Sequence, residues 1–166
     1  FITGSTEGYG IAAVWSTYLN FIGIETYPLH ADYAQAAVML SNAEAGDLLI
    51  AVSLGLGPDT EVGHLINAAK EQGMRTISIT TSPTLLPARQ ADINLVALSK
   101  TPAGYPSFDT LMAVLALLWQ ALIALNPEKA QNNVKATLKT LSDLVAQKDK
   151  VPSYDVAALQ RLWGLD

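Results

Sequence analysis

The fold is decided by residues 46–72, which read GDLLIAVSLGLGPDTEVGHLINAAKEQ. Residues 48–52 form a continuous apolar run, which is typical of a parallel strand buried on both faces. A loop that contains glycines follows, and from about Thr60 to Gln72 the pattern predicts a helix that Gly73 closes. A buried strand that leads through a short loop into a helix belongs to a βαβ unit. This stretch therefore predicts an α/β fold with a parallel sheet.

The same alternation of strands and helices extends outward in both directions. Apolar segments predict strands at residues 1–3, 24–29, 48–52, 75–80 and 93–98. Helical patterns separate them, among them one from about Tyr9 to Phe21 and one that Asp32 could cap. Five strands connected in this way favour a three-layer αβα sandwich with the flavodoxin-like strand order 2-1-3-4-5.

The C-terminal part of the chain is predicted to be helical. Residues 111–125 are apolar except for Gln120, and this run is shorter than the roughly 20 residues that span a bilayer, so we expect a buried helix and no membrane contact. Residues 128–148 and 154–163 predict two further helices. We therefore divide the chain into a domain at 1–126 and a helical appendage at 127–166. Their apolar surface predicts a homodimer, unless the appendage folds back to complete a monomer's core.

Composition and charge limit the function classes. The chain has no cysteine, which rules out a disulfide framework or a thiolate metal site and fits a cytoplasmic location. No Lys or Arg precedes Lys70, and the net charge is −5, so these residues are expected to repel a nucleic acid. Because Phe1 already looks like part of a strand, we expect a piece of a longer protein. Any DNA contact would then come from a domain before Phe1.

A ligand site is predicted where the order of the strands reverses, beyond the carboxyl ends of the first and third strands. The loops at residues 4–8 and 53–59 leave these strands, carry glycines and hydroxyl groups, and each run into a helix. Backbone N–H groups at helix starts suit an anion such as a sugar phosphate, although tight turns alone would also need glycine. The candidate ligand-binding residues are Gly4, Ser5, Thr6, Gly8, Ser53, Gly55, Gly57 and Thr60.

Four segments in the right order resemble the sugar isomerase (SIS) domain family. Residues 4–12 resemble its opening turn G-x-G-x-S-x-x-x-A, residues 46–53 its Gly-Asp-apolar-Ser strand, residues 64–80 its AK-x-x-G…IT segment, and residues 91–92 its Ala-Asp pair. The resemblance covers residues 1–126 and implies a phosphosugar-binding domain. Residues 32–35 and 133–147 are most similar to RpiR-type transcription regulators, which implies a sugar-sensing domain without chemistry of its own.

The chain departs from the family pattern within both loops. Aligned on Gly4 and Ala12, the phosphate-contacting Ser of the family falls on Gly8 and its second Gly falls on Thr6. In the S-x-S-G-x-T loop the second Ser is Gly55, and the final Thr is matched only if the loop carries extra residues. The expected ligand is therefore a sugar phosphate or a related small carbohydrate, with its phosphorylation left open.

Acidic residues near these loops allow an alternative function. Glu7, Asp59 and Glu61 place negative charge close to the expected phosphate, which weakens anion binding. In a sugar-phosphate isomerase or deaminase of the same fold, Glu7 or Glu61 would be the catalytic base, with His30 or His64 as a helper. The simpler interpretation is that both glutamates stabilise the start of a helix.

No cofactor or metal is expected. The pattern Gly55-x-Gly57-x-x-Thr60 lacks the third glycine of a dinucleotide-binding motif and does not follow the first strand. His30 and His64 do not have the spacing of metal ligands. Both histidines are therefore interpreted as surface or packing residues.

Overall fold

The computed structural model describes residues 1–4, 6–56, 59–98, 100–147 and 156–164. The strands are β1 (Ile2–Gly4), β2 (Pro28–His30), β3 (Leu48–Ser53), β4 (Arg75–Thr80) and β5 (Ile93–Val96). All neighbouring strands are parallel, and their order in the sheet is β2-β1-β3-β4-β5. The predicted strand order is confirmed.

Helices cover both faces of the sheet. They are α1 (Glu7–Phe21), α2 (Tyr33–Leu40), α3 (Thr60–Glu71), α4 (Leu86–Gln90), α5 (Phe108–Leu125), α6 (Pro127–Gln147) and α7 (Val156–Leu162). One core lies between the sheet and helices α2 and α3, with Val62 and Ile66 fully buried. The other lies between the sheet and helices α1 and α5, where Ala12 and Leu111 are fully buried. The three-layer αβα sandwich is therefore confirmed.

Strand β2 is shorter than the predicted strand at residues 24–29. The side chain of Asn20 forms hydrogen bonds with both backbone polar groups of Thr26. Its Nδ2 donates to the Thr26 carbonyl at 2.6 Å, and its Oδ1 accepts from the Thr26 N–H at 3.1 Å. These backbone groups are then unavailable for a ladder with β1. Regular pairing begins only at Pro28, which lies beside Ile2.

The prediction that residues 111–125 form a buried helix is wrong. Helix α5 forms there, but Leu111 and Leu115 are its only buried residues. By length and composition alone α5 could cross a membrane, since its mean hydropathy is 1.9, and only 11% of it is buried. The sheet covers one side of this helix. Its outward side is apolar and uncovered, because a helix that is apolar all round cannot bury every face on one sheet.

The helical appendage packs in part on its own domain. Helix α6 contacts α1 and α5, and it buries Ala130, Val134 and Leu138. Asn133 Nδ2 donates to the carbonyls of Asn20 and Phe21 at 2.9 and 3.1 Å, which satisfies the C-terminal end of α1. The apolar face of α6 is thus covered within the chain, as in the folding-back alternative, whereas the outer side of α5 is not.

A carboxylate ties α3 to the edge of the sheet. Asp92 accepts hydrogen bonds from the backbone and the hydroxyl of Thr76, both at 2.9 Å, and forms an ion pair with Lys70 at 3.0 Å. The Lys70 ammonium and the two Thr76 donors lower the pKa of Asp92 to about 2. These contacts stabilise the folded state only while Asp92 is ionised.

We expect the contribution of Asp92 to stability to disappear in acid. Because its pKa is lowered on folding, the contribution is fully present above the ordinary value near 3.8 and is lost as the pH falls towards 2. Urea unfolding should show Asp92→Asn less stable than the unmodified chain at pH 7, with a gap that closes between pH 4 and pH 2. Asp143→Asn, which removes an exposed ion pair with Lys139, is the control and should change little. A gap for Asp92→Asn that is independent of pH would contradict this assignment.

Candidate functional site

The candidate site lies at the edge of the sheet where β1 and β3 end side by side. Gly4 pairs with Val52 across the two strands, and α1 starts three residues after Gly4. A Cβ atom on Gly4 would lie 2.4 Å from the carbonyl carbon of Gly8, and a Cβ on Gly8 would lie 2.7 Å from the Val52 carbonyl oxygen. The first turn of α1 is therefore pressed onto the ends of β1 and β3, and both positions require glycine.

This packing explains the departure at Gly8. The residue is buried, and its side-chain direction points into the backbone of β3. A serine there would not reach a ligand without moving the strand or the helix. Gly8 can therefore contribute only its backbone N–H group to a ligand. A side chain at this position would point into β3, so Gly8 does not take the role of the phosphate-contacting Ser with which it aligns.

The turn between β1 and α1 is conformationally unusual. Thr6 is exposed and has a φ of 47°, a left-handed conformation that costs a β-branched residue energy and is maintained only by its surroundings. Glu7, in the first turn of α1, is exposed as well. The candidate residue Ser5 lies outside the described residues. The Thr6 side chain makes no capping bond to α1, and the Tyr9 N–H bonds to the Thr6 carbonyl at 3.2 Å.

The second loop is organised by Ser53 and Asp59. Ser53 is the last residue of β3 and is 1% exposed, and its Oγ donates to Asp59 Oδ1 at 2.5 Å. Asp59 immediately precedes α3, yet its side chain makes no capping bond to that helix. Burial raises the pKa of Asp59, and the Ser53 hydrogen bond partly opposes this effect. The hydroxyl predicted to bind the ligand is thus already bonded to a carboxylate.

The remaining candidate residues of this loop face solvent. Gly55 has a φ of 71° and packs near Leu85, and Thr60 is exposed at the first position of α3. The loop is anchored from the neighbouring strand by Thr81, whose hydroxyl donates to the Leu54 carbonyl at 2.8 Å. Gly57, the other candidate, lies outside the described residues. Glu61 is half-buried in the first turn of α3.

Two tyrosine–histidine pairs lie on the helices and strand that flank the site. His30 ends β2 beside Gly4, and its ring meets the ring of Tyr9 edge to face at 4.5 Å. His64 Nδ1 and the hydroxyl of Tyr33 share a hydrogen bond of 2.9 Å that joins α3 to α2. The sequence analysis considered His30 and His64 without partners, and it did not predict that Tyr9 and Tyr33 contact them. The partners are far apart in the chain, so only the placement of His30 at a strand end could have indicated a site.

The charged side chains around the site are acidic. No Lys or Arg occurs in the chain before Lys70, and the loops that leave β1 and β3 are flanked by Glu7, Asp59 and Glu61. Among the residues that the structure describes, no group of three or more His, Asp or Glu side chains is arranged to hold a metal ion. An anion here would depend on backbone N–H groups and hydroxyls.

The comparison with protein families agrees with this architecture. A family model for the SIS domain matches residues 1–124. The chain belongs to the SIS domain family. The predicted resemblance is confirmed over nearly the whole of the expected range. Among curated proteins, none matches the chain at a significant level of similarity.

Solved structures with a similar fold include a sugar isomerase domain of a transcription factor. The sugar isomerase domain of an RpiR transcription factor from Sphaerobacter thermophilus is 28% identical, with a TM-score of 0.74 over 82% of this chain and 75% of that one. The Vibrio vulnificus NanR protein, solved in complex with ManNAc-6P, is 21% identical, with a TM-score of 0.70 over 86% of this chain and 56% of that one. At 21% identity the second likeness shows a shared fold.

Proposed function

We propose that this SIS domain is the ligand-sensing domain of a sugar-responsive transcription regulator and binds a phosphosugar or a related small carbohydrate. The observation that carries the proposal is the junction of β1 and β3, where two loops with hydroxyl groups lead into helices whose N-cap residues, Thr6 and Asp59, make no side-chain capping bond. By contrast, Asp32 caps α2 and Ser107 caps α5. The starts of α1 and α3 therefore keep N–H groups available for a polar ligand.

The comparisons support this class of ligand. The RpiR domain from Sphaerobacter thermophilus is a transcription factor domain, and NanR from Vibrio vulnificus was solved in complex with ManNAc-6P. In our proposal DNA binding belongs to another domain of the full-length protein, since the acidic surface described above would repel DNA. A location in the cytoplasm follows from that role.

The geometry gives less support to an isomerase. A general base must be held within hydrogen-bond reach of the sugar carbon whose proton it removes. Glu7 is exposed, and in the described part of the chain neither Glu7 nor Glu61 accepts a hydrogen bond that would orient its carboxylate. Our proposal therefore assigns both glutamates to the starts of their helices, where negative charge is favourable.

Removal of the Ser53 hydroxyl should weaken ligand binding. We expect Ser53→Ala to reduce the binding free energy by about 1 kcal/mol or more, roughly a fivefold loss of affinity, because the Asp59 carboxylate loses the hydrogen bond that orients it at the end of β3. Isothermal titration against a panel of sugars and sugar phosphates measures this. Ser41→Ala, whose hydroxyl only bonds to its own helix end through Val38, is the control. Unchanged affinity in both Ser53→Ala and Thr6→Ala would place the site elsewhere.

We also propose that the domain is a homodimer in which α5 of one copy packs on α5 of the other. The outward side of α5 carries Ala113, Leu117, Gln120, Ala121 and Ala124, all of them exposed. No residue with a charged side chain lies between Thr110 and Leu125. Small residues around one Leu allow two helices to approach closely, and a two-fold axis would cover the same surface on both copies.

A further inference from the structure

The two edges of the sheet differ in how they are protected against pairing with another chain. At one edge, β2 has only three residues and begins with Pro28, and the Asn20 side chain binds the backbone of Thr26 just before it. A proline and a short strand of this kind prevent a further strand from pairing. At the other edge, residues 93–98 read INLVAL and include no proline and no charged side chain. The edge at β5 therefore lacks the protection that β2 has.

Strand β5 exposes backbone groups and apolar side chains together. Among the described residues, no strand lies beyond β5 in the sheet. The Ala97 N–H donates to the Thr80 carbonyl at 2.7 Å, so the backbone groups of odd-numbered residues point to β4. Those of Asn94, Val96 and Leu98 point away from the sheet, because direction alternates along a strand. Val96 and Leu98 also have exposed side chains. An apolar edge with free backbone groups is a template for another strand.

The sequence around Val96 fits pairing with the same strand of a second copy. In an antiparallel pair with two-fold symmetry, residues at equal distances before and after the axis face each other. With the axis at Val96, this residue bonds to its own counterpart, and Asn94 bonds to Leu98 of the second copy. Four positions before and after Val96 are Asp92 and Lys100, both exposed. Their opposite charges would then face each other across the pair.

We propose that β5 pairs antiparallel with β5 of a second copy, with the two-fold axis at Val96, so that one continuous sheet crosses both copies. A contact between two short strands buries less than the roughly 1,200 Å² that a stable interface needs, so this pairing is weak. It uses a different surface from the contact between α5 helices and joins dimers only well above micromolar concentration. The pairing needs no ligand and is independent of the proposed sugar-sensing function.

The variant Leu117→Glu isolates this contact, since it removes the proposed contact between α5 helices. Sedimentation velocity of Leu117→Glu should show a monomer at micromolar concentration and a dimer at about 300 μM. Adding Val96→Lys places like charges opposite each other at the axis, which should raise the dissociation constant at least tenfold. The control is Val38→Lys on α2, which packs beside β2 and should leave the dissociation constant unchanged. Melting temperatures verify that each variant is folded.

A disulfide tests the position of the axis, because the chain has no cysteine of its own. In the proposed pair the Cα atoms of Val96 in the two copies are about 5.5 Å apart, a distance that a disulfide spans. Val96→Cys in the Leu117→Glu background should therefore form a covalent dimer when it is oxidised at high concentration. The control Ile93→Cys is at a more exposed position, 54% against 37%, but should stay monomeric. Its counterpart would lie about 20 Å away along the strands.

Three results would contradict the pairing. Leu117→Glu could remain a monomer at about 300 μM. Its association could be unaffected by Val96→Lys, which would place the contact on another surface. Ile93→Cys could also cross-link as readily as Val96→Cys, which would exclude an axis at Val96. None of these results would affect the proposed sugar-sensing function, because ligand binding is measured separately.

Discussion

Replacing Gly8 with serine is expected to destabilise the domain by about 2–3 kcal/mol, although it restores the serine of the family pattern G-x-G-x-S. A Cβ at this position would lie 2.7 Å from the Val52 carbonyl oxygen, closer than Cβ atoms approach in folded proteins. The contacted atom belongs to the backbone of the central strand and cannot move aside without disturbing β3. Overpacking of this kind costs about 1–3 kcal/mol and occasionally more.

The matched control for Gly8→Ser is Gly10→Ser. Gly10 lies two residues further along α1, is exposed, and has no atom within 4 Å of its would-be Cβ. Serine there should be neutral or slightly stabilising, since it is a better helix former than glycine. Urea unfolding of both variants measures the difference. Equal stability of the two, together with tighter sugar-phosphate binding by Gly8→Ser, would mean that position 8 faces the ligand and not the strand.

Replacing Leu117 with glutamate is expected to convert the proposed dimer to monomers. Leu117 is 65% exposed in the isolated chain, so the substitution should not disturb the fold. In the dimer the glutamate would be buried without a partner in each of the two copies. At roughly 2 kcal/mol per copy, the dissociation constant should rise about a thousandfold. Analytical ultracentrifugation at micromolar concentration should then show a species of 17.7 kDa.

The control for Leu117→Glu is Val38→Glu on α2, at the opposite face of the sheet. Val38 is 67% exposed, so both variants add the same charge at an equally exposed apolar position. Val38→Glu should remain a dimer. The proposed interface would be contradicted if the unmodified chain were a monomer. It would also be contradicted if Val38→Glu dissociated the dimer while Leu117→Glu remained a dimer. Binding of the unmodified chain to neutral phospholipid vesicles would indicate that α5 is covered by lipid and not by a second copy.

Local signals explain why much of the fold could be predicted. The helix starting at Tyr33 is capped by Asp32, whose Oδ1 accepts from the Gln35 N–H at 3.0 Å. Gly23 and Gly73 follow the ends of α1 and α3 with φ near 80°, which only glycine adopts without cost. These features depend on residues within a few positions of one another, so they are visible in the sequence.

The candidate site was predicted in outline but not in detail. The alternation of strands and helices implied the strand order, and the strand order implied where the loops after β1 and β3 meet. The contacts between side chains inside the site could not be predicted from the sequence pattern. Ser53 and Asp59 were each singled out, yet nothing in the sequence indicated that they bond to each other. The pairs of Tyr9 with His30 and Tyr33 with His64 join residues more than 20 positions apart.

The sequence by itself determined the class of fold, the strand order and the membership in the SIS domain family, because periodicity, capping residues and turn glycines act locally. The tertiary structure alone decided three further points. It shortened β2, because the Asn20 side chain forms hydrogen bonds with the backbone N–H and carbonyl of Thr26. It left the outer side of α5 uncovered, because burial depends on which surfaces meet and not on how apolar a segment is. It also turned Gly8 towards β3, because the direction of a side chain depends on how closely a helix approaches a strand.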